Sequence, residues 1–328
     1  MSIDEQAKQQ QEQQIWLLRQ VRMALKNNDF EEAINSLKQL VDLAHASGDL
    51  GAEGRHLGNL ALIYYRLKQS EDALYYFTQA LELAREDNDQ LTQSGLLGNI
   101  GNVLREMGRF EEAVQNLRQA LTIAEVIDDV RGRGIWLGNL GLVFDDLKDS
   151  DTAIKLHQES VDIARELRDK RGLSSRLTNL GNSYAAKGDL ITALSHLQES
   201  ATISGELGDT GEQLVRLVSM GNLNAQLGRS AAKPSEQRNR FTAAFSNYTK
   251  SLKLIRHLQD PGSEAMLLRT IGDVLLEVKQ YDRAIEFYNA ALAIFTPLQQ
   301  MEQIKVVQES IEVAALLRDQ AISLSNPE

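Results

Sequence analysis

Asparagine returns at one position in four successive units of the chain, Asn59, Asn99, Asn139 and Asn179, each 40 residues after the last. A side-chain amide carries an acceptor and two donors, which match the C=O and N–H of an extended peptide whatever side chains that peptide bears. The chemistry on offer is recognition of a backbone. Asn is a middling helix former, so propensity does not account for four at one register. A parallel row adds Asn102, Asn182 and Asn222, and charges change alongside: Arg55, Arg66 and Arg105 first, then Glu106, Asp145 and Asp146, then Asp273 and Glu277. The amides admit two readings, contacts to a ligand or bonds that staple one helix to its neighbour. Four such contacts at about 1 kcal/mol each give about 4 kcal/mol, near a millimolar dissociation constant. Useful affinity therefore needs side-chain anchors, and the charges predict a segment with an acidic residue over the arginines and a basic one further along.

Residues for catalysis are not arranged to perform it. The five histidines, His45, His56, His157, His196 and His257, are scattered, and no HExxH, GxSxG or Walker A motif occurs. Gly132, Gly134 and Gly138 imitate a phosphate loop, but no strand precedes them. Asp145 and Asp146 are neighbours in a helical stretch and point about 100° apart, which suits a solvated face better than a carboxylate pair. The sequence has no cysteine, hence no thiolate chemistry, and 35 basic against 46 acidic residues leave a net charge of −11, unsuited to nucleic acid. No apolar run of 18 residues crosses a bilayer and no secretory signal opens the chain. The expectation is a cytoplasmic protein that is not an enzyme and needs no metal or cofactor.

What positions the amides is a repeat. Alanines 33, 73, 113, 153, 193, 244 and 284 mark seven units, and five of the six intervals between them are 40 residues while one is 51. A small residue recurs at Ala61, Gly101, Gly141, Gly181, Gly221 and Gly272. Leu57, Leu60, Ala61 and Tyr64 keep helical spacing, as do Ala73, Phe77, Ala80, Leu81 and Ala84 after a short break, so each unit reads as an antiparallel helical hairpin. Asp49, Asp89, Asp129, Asp169, Asp209 and Asp260 precede the first helices as N-caps. Gly58, Gly98 and Gly138 stand beside the asparagines; lacking Cβ, they admit a close neighbour, either the adjacent helix or a bound peptide.

Two helices per unit, small residues at the crossings and the spacing Leu177, Leu180, Gly181, Tyr184 resemble the tetratricopeptide repeat over roughly residues 14 to 300. The Asn-Leu-Gly core is similar to the 40-residue repeats of Pins/LGN-type adaptors and of kinesin light chain. The proline that often closes the family's second helix is replaced by Asp-containing turns. The resemblance implies an all-α, right-handed superhelix (α-solenoid) of seven hairpins with first helices lining a concave groove. There Asn59, Asn99, Asn102, Asn139, Asn179, Asn182 and Asn222, flanked by Arg55, Arg66, Arg105, Asp145 and Asp146, would hold an extended segment of a protein partner. The other functions it admits are a ligand-sensing or signalling-peptide-binding module and a self-associating scaffold.

The predicted organisation is a Gln-rich extension over 1–13, seven repeats over 14–300, a capping helix over 301–318 and a flexible tail over 319–328. Ile304, Val307, Ile311 and Ala314 would face inward on the capping helix, leaving Val306, Val313 and Leu317 on a side that could seat a partner or a second copy. The long interval places an 11-residue insertion near 229–240, read as a helix extended from about Ser235, with Phe241, Ala244, Phe245 and Tyr248 at helical spacing. Trp16 and Trp136 are both expected to pack inward.

Overall fold

The computed structural model describes residues 3–325, and side chains over 9–323. Fifteen helices and no strand occur among them. The chain divides into two compact units, Met1–Arg168 and Asp169–Glu328. The first holds α1 (Ile3–Lys26), α2 (Phe30–Ser47), α3 (Leu50–Arg66), α4 (Ser70–Glu86), α5 (Gln90–Glu106), α6 (Phe110–Val126), α7 (Val130–Asp146) and α8 (Ser150–Glu166). The second holds α9 (Lys170–Lys187), α10 (Leu190–Glu206), α11 (Thr210–Ser230), α12 (Pro234–Leu258), α13 (Pro261–Glu277), α14 (Tyr281–Phe295) and α15 (Met301–Ser325). Consecutive helices pair as seven hairpins with α15 as an eighth first helix, the all-α repeat architecture that the resemblance implies.

The 40-residue period is twice one local solution. From α3 through α8 each helix has 17 residues and each junction three. The middle junction residue takes the left-handed conformation, as at Lys68 (φ 61°), Asn88 (φ 55°) and Gly108 (φ 74°). The next N–H then reaches back to the helix: Gln69 donates to the Tyr64 carbonyl at 2.9 Å and Asp89 to that of Ala84 at 3.0 Å. This satisfies carbonyls that a helix end leaves bare. All six expected aspartates cap first helices, Asp49 accepting from the Ala52 N–H at 2.8 Å and Asp129 from Gly132 at 2.9 Å. Asp29, Asp149 and Asp189 cap second helices in the same way.

The seven marker alanines are fully buried, all on second helices. Opposite the small first-helix positions stand Phe77, Leu117, His157, Leu197, Tyr248 and Tyr288, each at most 1% exposed. A Cβ added to Gly221 would lie 2.4 Å from the Tyr248 ring, so the missing methyl is what lets a tyrosine close this hairpin. Of these facing side chains, Phe77, Leu117 and Leu197 each contribute about 1.5–3 kcal/mol by leaving water. In the first unit one apolar cluster runs from Leu17 to Val143; in the second another runs from Ala225 to Ala314. Within the second unit α9, α10 and α11 meet through a polar seam, where Ser174, Ser200 and Ser204 bond one another and buried Arg216 donates to the Ser200 hydroxyl at 2.6 Å.

The insertion lengthens both arms of one hairpin. Aligned on Gly221 and Ala244, four extra residues (227–230) extend α11 and seven (234–240) open α12. Ser235 is not the cap: Lys233 precedes the helix without a side-chain cap bond and Pro234 occupies its first turn, where a missing N–H costs nothing. The extension of α11 was not read from sequence.

Three expectations are corrected. The Gln-rich segment is not separate from the array but continues into α1 from Ile3, since Gln, Lys and Ala propagate a helix without a breaker. The capping helix does not stop at 318 but runs to Ser325, with Val307 and Ala314 buried and Ile304 and Ile311 packed beside them. Residues 1–2 and 326–328 of the expected extension and tail lie outside the described residues. Trp136 is 9% exposed, as expected, whereas Trp16 is 54% exposed and does not pack inward.

Candidate binding surface

The first helices present the amide row. In the first unit α5 and α7 lie directly against each other, with Trp136 of α7 on Gly98 of α5. Asn59 is exposed, and Asn99, Asn102 and Asn139 are half-buried, interleaved with exposed Leu62 and Ile135. On α9 and α11 of the second unit Asn179 is half-buried, while Asn182 and Asn222 are exposed beside Val215.

Bonds from these amides to a neighbouring first helix are absent among the described residues. Among the described residues the side chains of Asn59, Asn99, Asn102, Asn139, Asn179 and Asn182 make no hydrogen bond, and Asn222 accepts from the Tyr248 hydroxyl at 2.6 Å. Their donors and acceptors are turned to solvent. The neighbouring glycines serve the adjacent helices instead: Trp136 lies on Gly98, the Leu96 methyl sits 3.7 Å from where a Gly58 Cβ would be, and the Ser160 hydroxyl sits 3.1 Å from that of Gly138.

Repeat-to-repeat stapling is carried by the charges. The Tyr65 hydroxyl donates to Glu106 Oε1 at 2.6 Å, and Lys68 Nζ reaches the same carboxylate at 3.1 Å. One hairpin further on, and in the same register, Arg105 Nη1 stands 3.7 Å from Asp146 Oδ2. Burial opposes ionisation of Glu106, but the bonds from Tyr65 and Lys68 outweigh it and hold its pKa below the usual value. Burial and the bond to Glu106 push the Tyr65 phenol up to about 12. Asp145 pairs with buried His157, Nε2 to Oδ2 3.0 Å, within its own hairpin. In the second unit Asp273 accepts from the Tyr288 hydroxyl at 2.8 Å, and Glu277 is gripped by Arg229.

Thus Arg105, Asp145 and Asp146 already have intramolecular partners. Arg66 lies over the Phe30 ring at 5.1 Å, a cation–π contact that leaves it exposed. Arg55 is exposed with no carboxylate in ion-pair range among the described residues; burial, and after it the charge of Arg55, lowers the pKa of His56. The ladder escaped sequence reasoning because its partners lie 41 residues apart. Its signal was the ordered change from Tyr65 to Arg105 facing Glu106 and Asp146. No group of three or more acidic, histidine or cysteine side chains fit to hold a metal occurs among the described residues, and no described helix is long and apolar enough to cross a membrane.

The profile of the tetratricopeptide repeat matches residues 13–86, 92–166 and 236–296, together more than half of the chain. No curated protein sequence matches it. Among solved structures, it is similar to aspartyl phosphate phosphatase F from Bacillus subtilis, with 15% identity, TM-score 0.62, and 92% of this chain and 74% of that one covered. It is also similar to a Rap protein complexed with competence and sporulation factor (13% identity, TM-score 0.53, 94% and 99% covered). A third is a putative kinesin light chain with nearly identical repeats from Podospora anserina (18% identity, TM-score 0.50, 64% and 99% covered). At these identities the likeness is one of fold. Capped 17-residue helices paired across small residues, repeated through a profile match of this extent, make the chain a member of the tetratricopeptide repeat family.

Proposed function

We propose that the chain is a non-catalytic interaction module that holds an extended segment of a partner protein along its first-helix stripes. The observation that carries this reading is the row Asn59, Asn99 and Asn139 in the first unit, one amide per hairpin, each with its hydrogen-bonding groups unused inside the protein. An extended strand offers a backbone amide every 3.2–3.4 Å, which such a row meets without regard to sequence. Selectivity falls to the anchors between the amides. Leu62 and Ile135 offer apolar contact and Arg55 with Arg66 offer positive charge, so the favoured segment carries an acidic residue beside an apolar one. The basic residue expected further along has less to meet, since Glu106, Asp145 and Asp146 are engaged within the protein. Asn179, Asn182 and Val215 offer a second such stripe in the second unit.

The test is affinity capture from native lysate with mass spectrometry, comparing wild type with N59A/N99A/N139A shown by circular dichroism to be folded. Loss of a specific partner is expected, and an unchanged partner set overturns the reading. A second reading, self-association, is favoured by α15, whose Val306, Val313, Leu316 and Leu317 remain exposed on its outer side. A solution mass that stays monomeric over a hundredfold range of concentration removes it.

A further inference from the structure

The lengthened hairpin of the second unit lines a pocket. The added start of α12 overhangs the end of α13 and the turn into α14, and between them lies a half-open cleft of about 550 Å³. Ligand sites commonly have 300–1,000 Å³. Phe241, Phe245 and Val278 give it apolar walls, and Arg238, Lys279 and Arg283 stand round them. None of these three cations has a carboxylate in ion-pair range among the described residues. Arg283 lies over the Phe245 ring at 5.0 Å and donates to the Gln280 side chain, so its charge is not neutralised. The one carboxylate in the lining, Glu277, is taken by Arg229 through three contacts of 2.6 to 3.1 Å.

That clamp also fixes the walls. Arg229 lies in the added turn of α11 and ties it to α13, while buried Phe241 comes down on Gly228, with a ring carbon 3.0 Å from where a Cβ would be. The overhang is thus anchored at both arms. In a chain of net charge −11, three exposed cations without counterions beside the aromatic walls of one pocket mark a local positive patch that lacks a complement within the protein.

We propose that this pocket is a second binding site, separate from the amide stripes, for an acidic peptide segment of a partner protein carrying one large apolar side chain. The apolar group enters between Phe241, Phe245 and Val278, and flanking carboxylates pair with Arg238, Lys279 and Arg283. The guanidiniums give the forked geometry that carboxylates fit best.

The test uses the full chain and fluorescence anisotropy with a fluorescein-labelled peptide, Glu-Asp-Gly-Phe-Glu-Asp, beside its charge-reversed counterpart Lys-Arg-Gly-Phe-Lys-Arg. Saturable binding of the acidic peptide alone is expected, weakened at least tenfold both by R238E/K279E/R283E and by T242W, which fills the cavity and leaves the charges. N59A/N99A/N139A should bind it as wild type does. Failure of the acidic peptide to saturate overturns the proposal. So does loss in the charge variant without loss in T242W, which would make the attraction diffuse, or loss in the stripe variant alone. Should the triple reversal not fold, R238Q and K279Q singly carry the same comparison.

Discussion

Trp136 of α7 lies flat against the backbone of Gly98 on the preceding first helix, so close that a Cβ there would fall 2.2 Å from the indole ring. Its Nε1 donates to the Ser94 hydroxyl at 2.9 Å, which in turn donates to the Ala120 carbonyl at 3.0 Å. One side chain thus joins α5, α6 and α7. Gly98→Ala should destabilise the protein by about 1–3 kcal/mol through overpacking. Gly95→Ala, three residues away with nothing within 4 Å, should stabilise it by up to about 1 kcal/mol from helix propensity. Thermal or urea unfolding of the two variants checks the opposite signs; equal effects would mean that the indole is not seated there.

The two tryptophans should respond differently to a soluble quencher, Trp16 being 54% exposed and Trp136 9%. Acrylamide quenching is expected to be biphasic. Trp16→Phe should remove the accessible component and leave a blue-shifted, poorly quenched emission.

Four of the eight tyrosines have raised pKa values. Burial leads in each case, taking Tyr65 and Tyr248 to about 12 and raising Tyr76 and Tyr288, the last helped by its bond to Asp273. A phenol with a higher pKa in the folded state contributes stability that is fully present below pH 10 and is lost as pH rises through the folded value. Absorbance at 295 nm should therefore show these four phenols ionising late and together with unfolding, and their complete ionisation near pH 10 in a still-folded protein would contradict this.

Four capping aspartates contribute to the acid dependence of stability. Side-chain bonds from Thr92, Thr152, Thr192 and Ser263 lead in lowering the pKa of Asp89, Asp149, Asp189 and Asp260 below 3.8. Their contribution is present above that value and is lost as pH falls through the lower folded values. Asn caps a helix about as well and does not titrate. D89N/D149N/D189N should therefore show a shallower fall in melting temperature between pH 5 and pH 2 than wild type.

The hairpins, the capping aspartates and the crossing positions were legible because each depends on residues within one 20-residue span, repeated often enough to be counted. Ala113 against Gly101 and Leu117 needs no knowledge of the next repeat. The surface was less legible. Whether Arg105 awaits a ligand or meets Asp146 depends on how one hairpin turns against the next, which no local pattern encodes. The same holds for Gly98, whose neighbour is Trp136, and for Trp16, which shares the register of Trp136 and is nevertheless exposed. The pocket went unseen because its cations come from two segments, with Arg238 in the insertion and Lys279 and Arg283 at the following turn.

The size of the insertion is itself constrained by helical pitch. At about 3.6 residues per turn, four residues added to α11 and seven added to α12 are close to one and two whole turns. Every side chain beyond them thus keeps its direction to within about 40°. That is why Tyr248 still closes on Gly221 and Ala244 still meets the crossing point 51 residues after Ala193 rather than 40. An arm changed by two residues would rotate by about 200° and turn Phe241 towards water. The array accepts length here only in steps, as a screw thread accepts a nut.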